Sequence, residues 1–324
     1  MAADEAPDGG DECTVRPATA EDYDDVARIS RETWDGDDYL QHVYHDWFAG
    51  ENRQTLVAEV DGNVAGIAQM VMLSPWEAWG QGLRVDRAYR GQGVSERLTH
   101  DLFDWARGER ATVARAMVFS WNQAGLGQSR ATGYEPVTEF RWLRPDPRDG
   151  PMPGRVSENP DAALAYWTDS DARDHLAGLG LSLDESWAVQ TVTREMLHRA
   201  ADETRLLAVT DDEGTHAFTY RTRTFERESD GDRSDGDERD EDGRDDEDGP
   251  ELWAEYGVAA WDDLGTAETL LDAIAVDAAD LGADRTRVLV PETARYVSDG
   301  AYLRANIGDE PDFVVGADLT GTVR

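Results

Sequence analysis

The sequence Gly82-Leu-Arg-Val-Asp-Arg-Ala-Tyr-Arg-Gly-Gln-Gly-Val-Ser-Glu-Arg-Leu98 passes from an apolar strand through a glycine-rich turn into a helix. At Gly91 and Gly93, which follow Arg90, the backbone can approach a ligand closely, because glycine has no Cβ. The helix begins near Gly93, and its first N–H groups point at the same place with the positive end of the helix dipole behind them. This pattern predicts an anion-binding cradle whose ligand is a pyrophosphate.

The chain has a formal net charge of −38, from 69 acidic and 31 basic residues, and every basic residue is arginine. This acidic, lysine-free composition is similar to that of proteins from a salt-saturated cytoplasm, where molar salt screens like charges to about 3 Å. We expect self-repulsion and partial unfolding at low salt, and a melting temperature independent of salt would contradict this. A basic stripe is lacking, which argues against nucleic acid and acidic membranes as partners.

Local charge around the glycine turn is opposite to that of the whole chain. Four arginines lie in the strand, turn and helix, namely Arg84, Arg87, Arg90 and Arg97. We expect them to make the cradle basic enough for an anionic ligand. The alternative is that they only offset neighbouring acidic residues on a solvated face.

The N-terminal residues 1–13 are acidic and small, without the basic start and apolar core of a secretion signal. No stretch approaches the roughly 20 apolar residues that span a bilayer. These observations predict a disordered tail and a cytoplasmic protein. Cys13 is the single cysteine, so an intrachain disulfide is excluded, a cysteine metal cluster is implausible, and no metal site is expected.

Hydrophobic periodicity predicts alternating strands and helices in the first 144 residues, which is an α/β fold with a mixed sheet. The Asp61-Gly62-Asn63 turn between two apolar runs is a strong hairpin signal. The predicted strands are 14–17, 55–60, 64–72, 78–85, 116–121 and 135–143. The predicted helices are 23–34, 39–48, one from about 93 through Trp105, and 123–131.

The spacing from Arg90 to Gly93 and Ser95 resembles the Arg/Gln-x-x-Gly-x-Gly/Ala loop of the GCN5-related N-acetyltransferase (GNAT) family, although Ser95 stands where Gly or Ala is usual. In a second motif of that family, a strand ends in Asn and a helix ends in Gly-Phe or Gly-Tyr. Asn122 and Gly133-Tyr134 match it, while a simple helix cap is an equally good interpretation of Asn122. The resemblance covers about residues 15–144. It implies that the strand with the turn and the next parallel strand splay apart to admit the pantetheine arm of acetyl-CoA.

The resemblance also implies how acetyl-CoA is held. Backbone groups of Leu83 and Val85 would pair with the pantetheine, and the Val85 N–H would donate to the thioester carbonyl. Arg90 would flank the pyrophosphate. The N–H donors to the pyrophosphate would come from Gly91, Gln92, Gly93, Val94 and Ser95, and Asn122 would add to the coenzyme site.

Two side chains are candidates for catalysis. Many relatives protonate the leaving thiolate with a tyrosine four residues before the Gly-Phe pair, and Ser129 occupies that position here. Tyr134 is then a candidate acid, with core packing as its alternative, and release of thiolate to solvent or protonation through water is the other route. Glu77, near the start of the strand, is the candidate general base, and a solvated loop carboxylate is the competing interpretation.

Further residues are candidates for the acceptor side of the site. His42 and His45 lie on a helical segment that borders the acceptor in this family, and ordinary surface histidines are the alternative. Trp76 and Trp79 are candidates for the lining of the acceptor pocket, with core packing as the default for such side chains.

The second half of the chain echoes the first. Five prolines between 145 and 160 predict a linker, and residues 161–324 then repeat the hairpin, strand and helix order. Asp262 and Asp263 stand where the phosphate turn stood, so a pyrophosphate would meet like charge. We therefore predict tandem GNAT folds at 14–144 and 161–324, the C-terminal one degenerate and without coenzyme. Residues 226–250, nearly all Asp, Glu, Arg, Gly and Ser, predict a disordered acidic insert.

These features together predict an acetyl-CoA-dependent N-acetyltransferase that acts on the amine of a small molecule or amino acid. The Gly-Leu-Arg-Val strand and the two-half layout are similar, more loosely, to the vertebrate histidine N-acetyltransferase group. Protein N-termini or side chains are the alternative acceptors. A non-catalytic acyl-CoA-binding sensor is the alternative class.

Overall fold

The turn at Asp61 and Gly62 joins two long antiparallel strands, and both residues have positive φ, +52° and +77°. Such values are required at the two central positions of a type I′ hairpin turn. The computed structural model describes residues 13–33, 38–227 and 249–321. The hairpin predicted from the sequence is therefore present, with strands longer than expected.

The elements of the first 144 residues follow the predicted order. They are β1 (Thr14–Pro17), α1 (Tyr23–Arg31), α2 (Leu40–Val43), β2 (Arg53–Val60), β3 (Asn63–Ser74), β4 (Glu77–Val85), α3 (Val94–Gly108), β5 (Val113–Phe119), α4 (Gln123–Ala131) and β6 (Glu135–Arg144). Short 3-10 turns occur at Ala20–Asp22, Tyr44–Phe48 and Arg87–Tyr89.

The remaining elements follow in chain order. They are β7 (Val156–Ser157), α5 (Pro160–Thr168), α6 (Asp171–His175), β8 (Leu179–Leu181), β9 (Val189–Thr191), α7 (Arg194–Glu203), β10 (Arg205–Asp211), β11 (Gly214–Arg227), β12 (Glu251–Val258), β13 (Ala260–Trp261), α8 (Leu264–Asp280), β14 (Arg285–Pro291), α9 (Ala294–Tyr302), β15 (Asn306–Ile307) and β16 (Asp312–Asp318).

Two helix predictions need adjustment. The helix predicted for 23–34 ends at Arg31, and Trp34 lies outside the described residues. The helix predicted for 39–48 is the short α2 followed by a 3-10 turn from Tyr44 to Phe48. Ends of helices are where local propensity decides least, because the last turns lack a full set of backbone partners.

The chain forms two compact units. The first contains the described residues up to 117, residues 124–135 and those from 315 onward. Its sheet has the order β1-β2-β3-β4-β5, with the end of β16 beside β5. β1 to β4 are antiparallel neighbours, whereas β4 and β5 are parallel. The Leu319 N–H donates to the Thr112 carbonyl at 2.9 Å, which fixes the C-terminal segment in this unit.

Amphipathic helices build the core of the first unit. Val26 and Ile29 lie three residues apart in α1 and are buried together with Trp47 against β2 and β3. Leu98 and Leu102, four residues apart in α3, are also buried. Each fully buried side chain of this size contributes about 1.5–3 kcal/mol relative to exposure, so these two faces hold the helices on the sheet.

The second unit contains residues 118–123 and the described residues from 136 to 314. Its sheet has the order β7-β10-β11-β12-β14-β6. β10, β11 and β12 are antiparallel neighbours, β12 and β14 are parallel, and β14 is antiparallel to β6. β13 pairs with β11, β15 pairs with β6, and β8 and β9 form a separate two-stranded sheet.

The units divide the chain differently from the predicted domains. β6 closes the first predicted domain in sequence, but its Leu143 pairs with Val288 of β14 in the second unit. The end of β16, from Val315, belongs to the first unit instead. The predicted linker also contains β7, in which Ser157 pairs with Ala208. Pairing between strands that are far apart in the sequence is determined by tertiary packing, which local sequence patterns do not reveal.

Most residues of the two segments predicted to be disordered lie outside the described residues. These are residues 1–12 of the tail and 228–248 of the acidic insert. At the edges of the insert, Glu226 and Arg227 belong to β11, and Arg227 pairs with Glu251 of β12. Among the described helices, none is long and apolar enough to cross a membrane.

Candidate active site

β4 and β5 separate after a short paired segment. In the described structure their parallel register runs from Glu77 opposite Val113 to Trp79 opposite Arg115 and ends there. β4 continues to Val85 beyond this point. The remainder of β4 therefore borders an opening in the sheet, as the family resemblance implies.

A β-bulge interrupts β4 beside this opening. Its register with β3 steps from Arg84 opposite Ile67 to Gln81 opposite Gln69, so β4 has one extra residue over this interval. Gly82 lies in the bulge with φ of +63°. A bulge twists its strand and changes where the neighbouring groups point, and glycine accepts the positive φ without strain.

The turn after β4 places two glycines at the start of α3. Gly91 and Gly93 have φ of +77° and +80°, and a Cβ built on either would have no atom within 4 Å. Gly93 is the N-cap of α3, and the first N–H groups of a helix have no carbonyl partner within it. N–H groups at such a helix start are donors that an anion can accept from.

A cavity of about 390 Å³ lies at this turn. The predicted coenzyme residues that line it are Val85, Arg90, Gly91, Gly93, Val94 and Ser95. Gln92 lies in the same turn and is exposed, with its Nε2 donating to the Ala88 carbonyl at 3.0 Å. Leu83 is half-buried on β4, two residues before the cavity begins.

Part of the cavity wall comes from α4 and the residue that follows it, and the sequence analysis missed this. Gly127, Gln128, Ala131 and Thr132 line it. Gln128 Nε2 donates to Thr99 Oγ1 at 3.1 Å, which ties α4 to α3. The available signal was the spacing of Gly127 and Ala131, because four residues put two small side chains on one helix face.

Asn122 belongs to the second unit, in the segment 118–123, whereas the cavity residues belong to the first. It follows β5 and directly precedes α4, and its N–H donates to the Phe119 carbonyl at 2.9 Å. Its predicted role in coenzyme binding stays a prediction.

The expectation that four arginines make the cradle basic needs correction. Arg84 donates from Nε and Nη2 to the two Asp38 oxygens at 2.7 and 2.9 Å, and the Asp38 side chain is fully buried. Burial lowers the pKa of Arg84, but the hydrogen bonds and charge of Asp38 outweigh it and the pKa is raised. This side chain is held in a structural ion pair and does not line the cavity.

The other three arginines also differ from one another. Arg87 donates to the Glu32 carbonyl at 3.1 Å, and Arg97 donates to Asp101 at 3.2 Å. Arg90 is exposed and its Nε donates to the Val85 carbonyl at 3.2 Å. Of the four arginines, Arg90 alone lines the cavity.

A buried carboxylate shapes the turn that leads to the cradle. Asp86 accepts a hydrogen bond from the Ala88 N–H at 2.8 Å and another from Arg28. Burial raises the pKa of Asp86, but the Arg28 and Ala88 hydrogen bonds outweigh it, so the pKa is lowered. The ionised carboxylate thus fixes the Arg87–Tyr89 turn directly before the cradle.

Tyr134 is buried with its hydroxyl beside β4. A Cβ on Gly80 would lie 3.0 Å from Tyr134 Oη and 3.8 Å from the Arg115 carbonyl oxygen. The hydroxyl therefore lies next to the point where β4 and β5 stop pairing. Burial raises the pKa of Tyr134, which keeps the phenol protonated at neutral pH. Ser129 Oγ donates to the Gly125 carbonyl at 2.9 Å within its own helix.

Glu77 lies at the end of β4 that is remote from the cradle. Its side chain is almost fully buried, with 1% of the residue exposed. Arg115 Nη1 donates to Oε1 at 2.5 Å and Ser74 Oγ donates to Oε2 at 3.1 Å. Val85 is eight positions further along β4, about 26 Å at 3.3 Å per residue. These contacts favour a structural role for Glu77 over that of a base.

The residues predicted to border the acceptor lie in different environments. His45 stacks on Tyr23 with ring centroids 5.0 Å apart. Trp79 is buried on β4, whereas Trp76 is exposed. The described residues contain no group of three or more His, Cys, Asp or Glu side chains arranged to hold a metal ion.

In the second unit, the turn before α8 carries its own carboxylate cap. Asp263 is the N-cap residue, and its Oδ1 accepts the Thr266 N–H at 2.9 Å. That hydrogen bond is the main cause of the lowered pKa of Asp263. His216 lies between two carboxylates, with Nδ1 3.0 Å from Asp262 Oδ2 and Nε2 2.9 Å from Asp211 Oδ1. The pKa of His216 is raised, and the hydrogen bond with Asp262 is the largest cause.

The parallel strands of the second unit stay paired over a longer distance. β12 and β14 pair from Trp253 opposite Arg285 to Val258 opposite Leu289, with one irregularity. Between these ends, the Arg287 Nε donates to the fully buried Glu255 at 2.8 Å. The described part of this pair has no opening like that beside β4.

Comparison with known proteins agrees with this geometry. Residues 21–127 match the family model for the acetyltransferase (GNAT) family. A histidine N-acetyltransferase from Oreochromis niloticus is 33% identical over 79 residues, which are 24% of this chain and 23% of that protein. The N-alpha-acetyltransferase RimI of Mycobacterium tuberculosis is 28% identical over 128 residues, 38% of this chain and 79% of that protein.

A GCN5-related N-acetyltransferase from Sphaerobacter thermophilus of known structure is similar along the whole chain. It is 12% identical, the match covers 96% of this chain and 97% of that chain, and the TM-score is 0.58. At this identity the likeness shows the fold. The mixed sheet, the opening beside β4 and the glycine turn agree with a GNAT-like α/β fold. The match to the GNAT family model includes the segment that contains the cradle.

Proposed function

We propose that this protein is an acetyl-CoA-dependent N-acetyltransferase with one coenzyme site, in the first unit. One observation supports it above all. The end of the β4–β5 pairing at Trp79 and Arg115 leaves an edge of β4 that leads to the open cradle at Gly91 and Gly93. The chain spans 23% of the length of the histidine N-acetyltransferase that it matches, so the activity of the whole protein is part of this proposal.

The coenzyme fits this path from its phosphate end. The pyrophosphate accepts hydrogen bonds from the N–H groups between Gly91 and Ser95, and Arg90 flanks it. The pantetheine then runs along β4 and pairs with the backbone of Leu83 and Val85. Support comes from the 390 Å³ cavity, which Val85 and the cradle residues line together.

The reaction is a transfer of acetyl from sulfur to nitrogen. The neutral amine attacks the thioester carbonyl carbon, the C–N bond forms and the C–S bond breaks. The nitrogen loses one proton and the leaving thiolate gains one, so the products are an acetylated amine and free coenzyme A. A backbone N–H of β4 that donates to the carbonyl stabilises the developing oxyanion, and positioning of the amine supplies much of the remaining rate.

Tyr134 is the candidate donor of that proton. Its hydroxyl lies beside Gly80, where β4 and β5 stop pairing, and burial keeps it protonated. The general base is not assigned to Glu77 here, because that carboxylate is buried in its ion pair with Arg115. A water molecule in the opening is the remaining route for the amine proton.

We further propose that the two units are tandem GNAT folds and that the second is degenerate. The strand order β1-β2-β3-β4-β5-β16 of the first unit has the same pattern as β7-β10-β11-β12-β14-β6 of the second. Each contains a parallel pair, β4 with β5 or β12 with β14, joined through a helix, α3 or α8. The longer pairing of β12 with β14 and the Asp263 cap on α8 support the absence of coenzyme there.

A small amine or amino acid is the proposed acceptor. The match to a protein named for histidine acetylation supports it. A protein N-terminus is the second candidate, because the match to RimI covers 79% of that N-alpha-acetyltransferase. A sensor that binds acetyl-CoA without transferring it is the competing class.

The test is an acetyl-transfer assay with purified protein in molar KCl, where the acidic chain is expected to be folded. Acetyl-CoA is mixed with single amines, among them free histidine, other amino acids and short peptides with free N-termini. Free thiol and acetylated product are measured together. The proposal expects equal amounts of both with at least one amine. Saturable acetyl-CoA binding without thiol release from any acceptor would favour the sensor, and the lack of any binding would contradict both.

A further inference from the structure

The indole ring of Trp47 contacts the bulge in β4. A Cβ on Gly82 would overlap the ring, with Trp47 Cζ2 at 2.8 Å. Trp47 is 5% exposed, so nearly the whole side chain is buried and its tip reaches the strand that borders the opening. The ring occupies the volume that a side chain at position 82 would otherwise take.

Hydrogen bonds hold the backbone of Trp47 in place. The fully buried Gln69 donates from Nε2 to the Trp47 carbonyl at 3.1 Å and to Thr55 Oγ1 at 2.8 Å. Gln81 in turn donates to Gln69 Oε1 at 2.7 Å. The Trp47 ring belongs to the core cluster that includes Tyr44. Because interiors are closely packed, we expect the ring to keep this position.

The bound coenzyme would bring its acyl group to this ring, and this step rests on the proposed function. From the cradle, the arm reaches Val85 first and Leu83 next, so the acyl group lies toward Gly82. We infer that Trp47 determines acyl-group specificity, by leaving room for acetyl and blocking longer chains. Plain core packing of an aromatic ring is the competing interpretation.

Equilibrium binding separates these interpretations without knowledge of the acceptor. Acetyl-CoA and butyryl-CoA are titrated into the full chain in molar KCl, for the wild type, Trp47→Leu and Trp47→Phe. Ile29→Ala is the matched control, because Ile29 is buried in the same core cluster as Trp47. The wild type should bind butyryl-CoA at least about tenfold more weakly than acetyl-CoA, the scale set by methylene groups in a closed pocket.

The quantity compared is the ratio of the Kd for butyryl-CoA to the Kd for acetyl-CoA. Trp47→Leu should reduce this ratio by about tenfold, and Ile29→Ala should leave it unchanged. If Trp47→Leu does not fold, Trp47→Phe takes its place in the test. It keeps an aromatic ring in the core and should shift the ratio in the same direction. Equal wild-type affinities, an unchanged ratio in a folded Trp47 variant, or an equal change in Ile29→Ala would overturn the inference. A folded Trp47 variant that binds neither acetyl-CoA nor butyryl-CoA would also overturn the inference. Failure of the wild type to bind either coenzyme would overturn the proposed function as well.

Discussion

Trp79 of β4 pairs with Arg115 of β5, and the described pairing of these two parallel strands ends there. In the second unit, the parallel pairing of β12 with β14 continues to Val258 and Leu289. An extended coenzyme arm needs backbone groups that no neighbouring strand already uses. The first unit offers such an edge next to an open glycine turn, and this difference is the basis for assigning one coenzyme site to the chain.

Gly91→Ala should weaken acetyl-CoA binding, whereas Gly62→Ala should not. Both glycines have φ of +77° and open space where a Cβ would go. Each substitution should therefore cost about 1–2 kcal/mol of stability, the strain of a left-handed alanine. At position 91 the methyl group would also project toward the proposed pyrophosphate site, so we expect the Kd to rise by about tenfold. Calorimetric titration of both variants measures this, and equal affinities would contradict the cradle assignment.

Tyr134→Phe should lower kcat by about a hundredfold, the typical contribution of a positioned acid, while the Kd for acetyl-CoA stays the same. The control is Tyr44→Phe, which removes the hydroxyl that donates to the Thr19 carbonyl at 2.5 Å. That variant should lose about 1 kcal/mol of stability and keep its kcat. A Tyr134→Phe enzyme with wild-type kcat would return Tyr134 to the core and leave protonation to water.

Glu77→Gln should destabilise the protein without changing the activity of the folded fraction. Removing one partner of a buried ion pair costs about 3 kcal/mol, and Arg115 would lose the carboxylate to which it donates at 2.5 Å. Chemical denaturation gives the stability, and the pH profile of kcat tests the role in chemistry. A large loss of kcat at unchanged stability, with a changed pH profile, would restore Glu77 as the base.

His216→Gln should remove a pH dependence from the stability of the second unit. Asp262, and then Asp211, raise the pKa of His216 above its ordinary value. The histidinium stabilises the fold fully below its unfolded pKa of about 6.5, and this is lost as the pH rises through the higher folded pKa. The difference in melting temperature between wild type and variant should thus be larger at pH 6 than at pH 9. Equal differences at both values would exclude the bridge.

The parts of the site that the sequence predicted are local in origin. Gly91 and Gly93 need positive φ, the helix start follows directly, and both facts lie within a few residues of one another. The hairpin at Asp61 and Gly62 is equally local, because turn type is encoded by the two turn residues. Val85 joins the cavity for the same reason, since it immediately precedes the turn.

The parts that the sequence did not predict depend on distant partners. The sequence places Arg84 in the cradle, but in the structure Arg84 forms an ion pair with Asp38. The sequence suggests Glu77 as a base, but in the structure Glu77 forms an ion pair with Arg115. The placement of β6 in the second unit and of the end of β16 in the first has the same origin. A single sequence indicates which segments form strands. Which of two similar sheet edges a strand joins is determined by tertiary packing in the folded chain.

The most direct test of the account is the stoichiometry of acetyl-CoA binding by isothermal titration calorimetry of the full chain in molar KCl. One site is predicted per chain, because the first unit has the open cradle and the second has the Asp263 cap and the longer β12–β14 pairing. A stoichiometry of one agrees with this assignment. A stoichiometry of two, or no saturable binding, would contradict it.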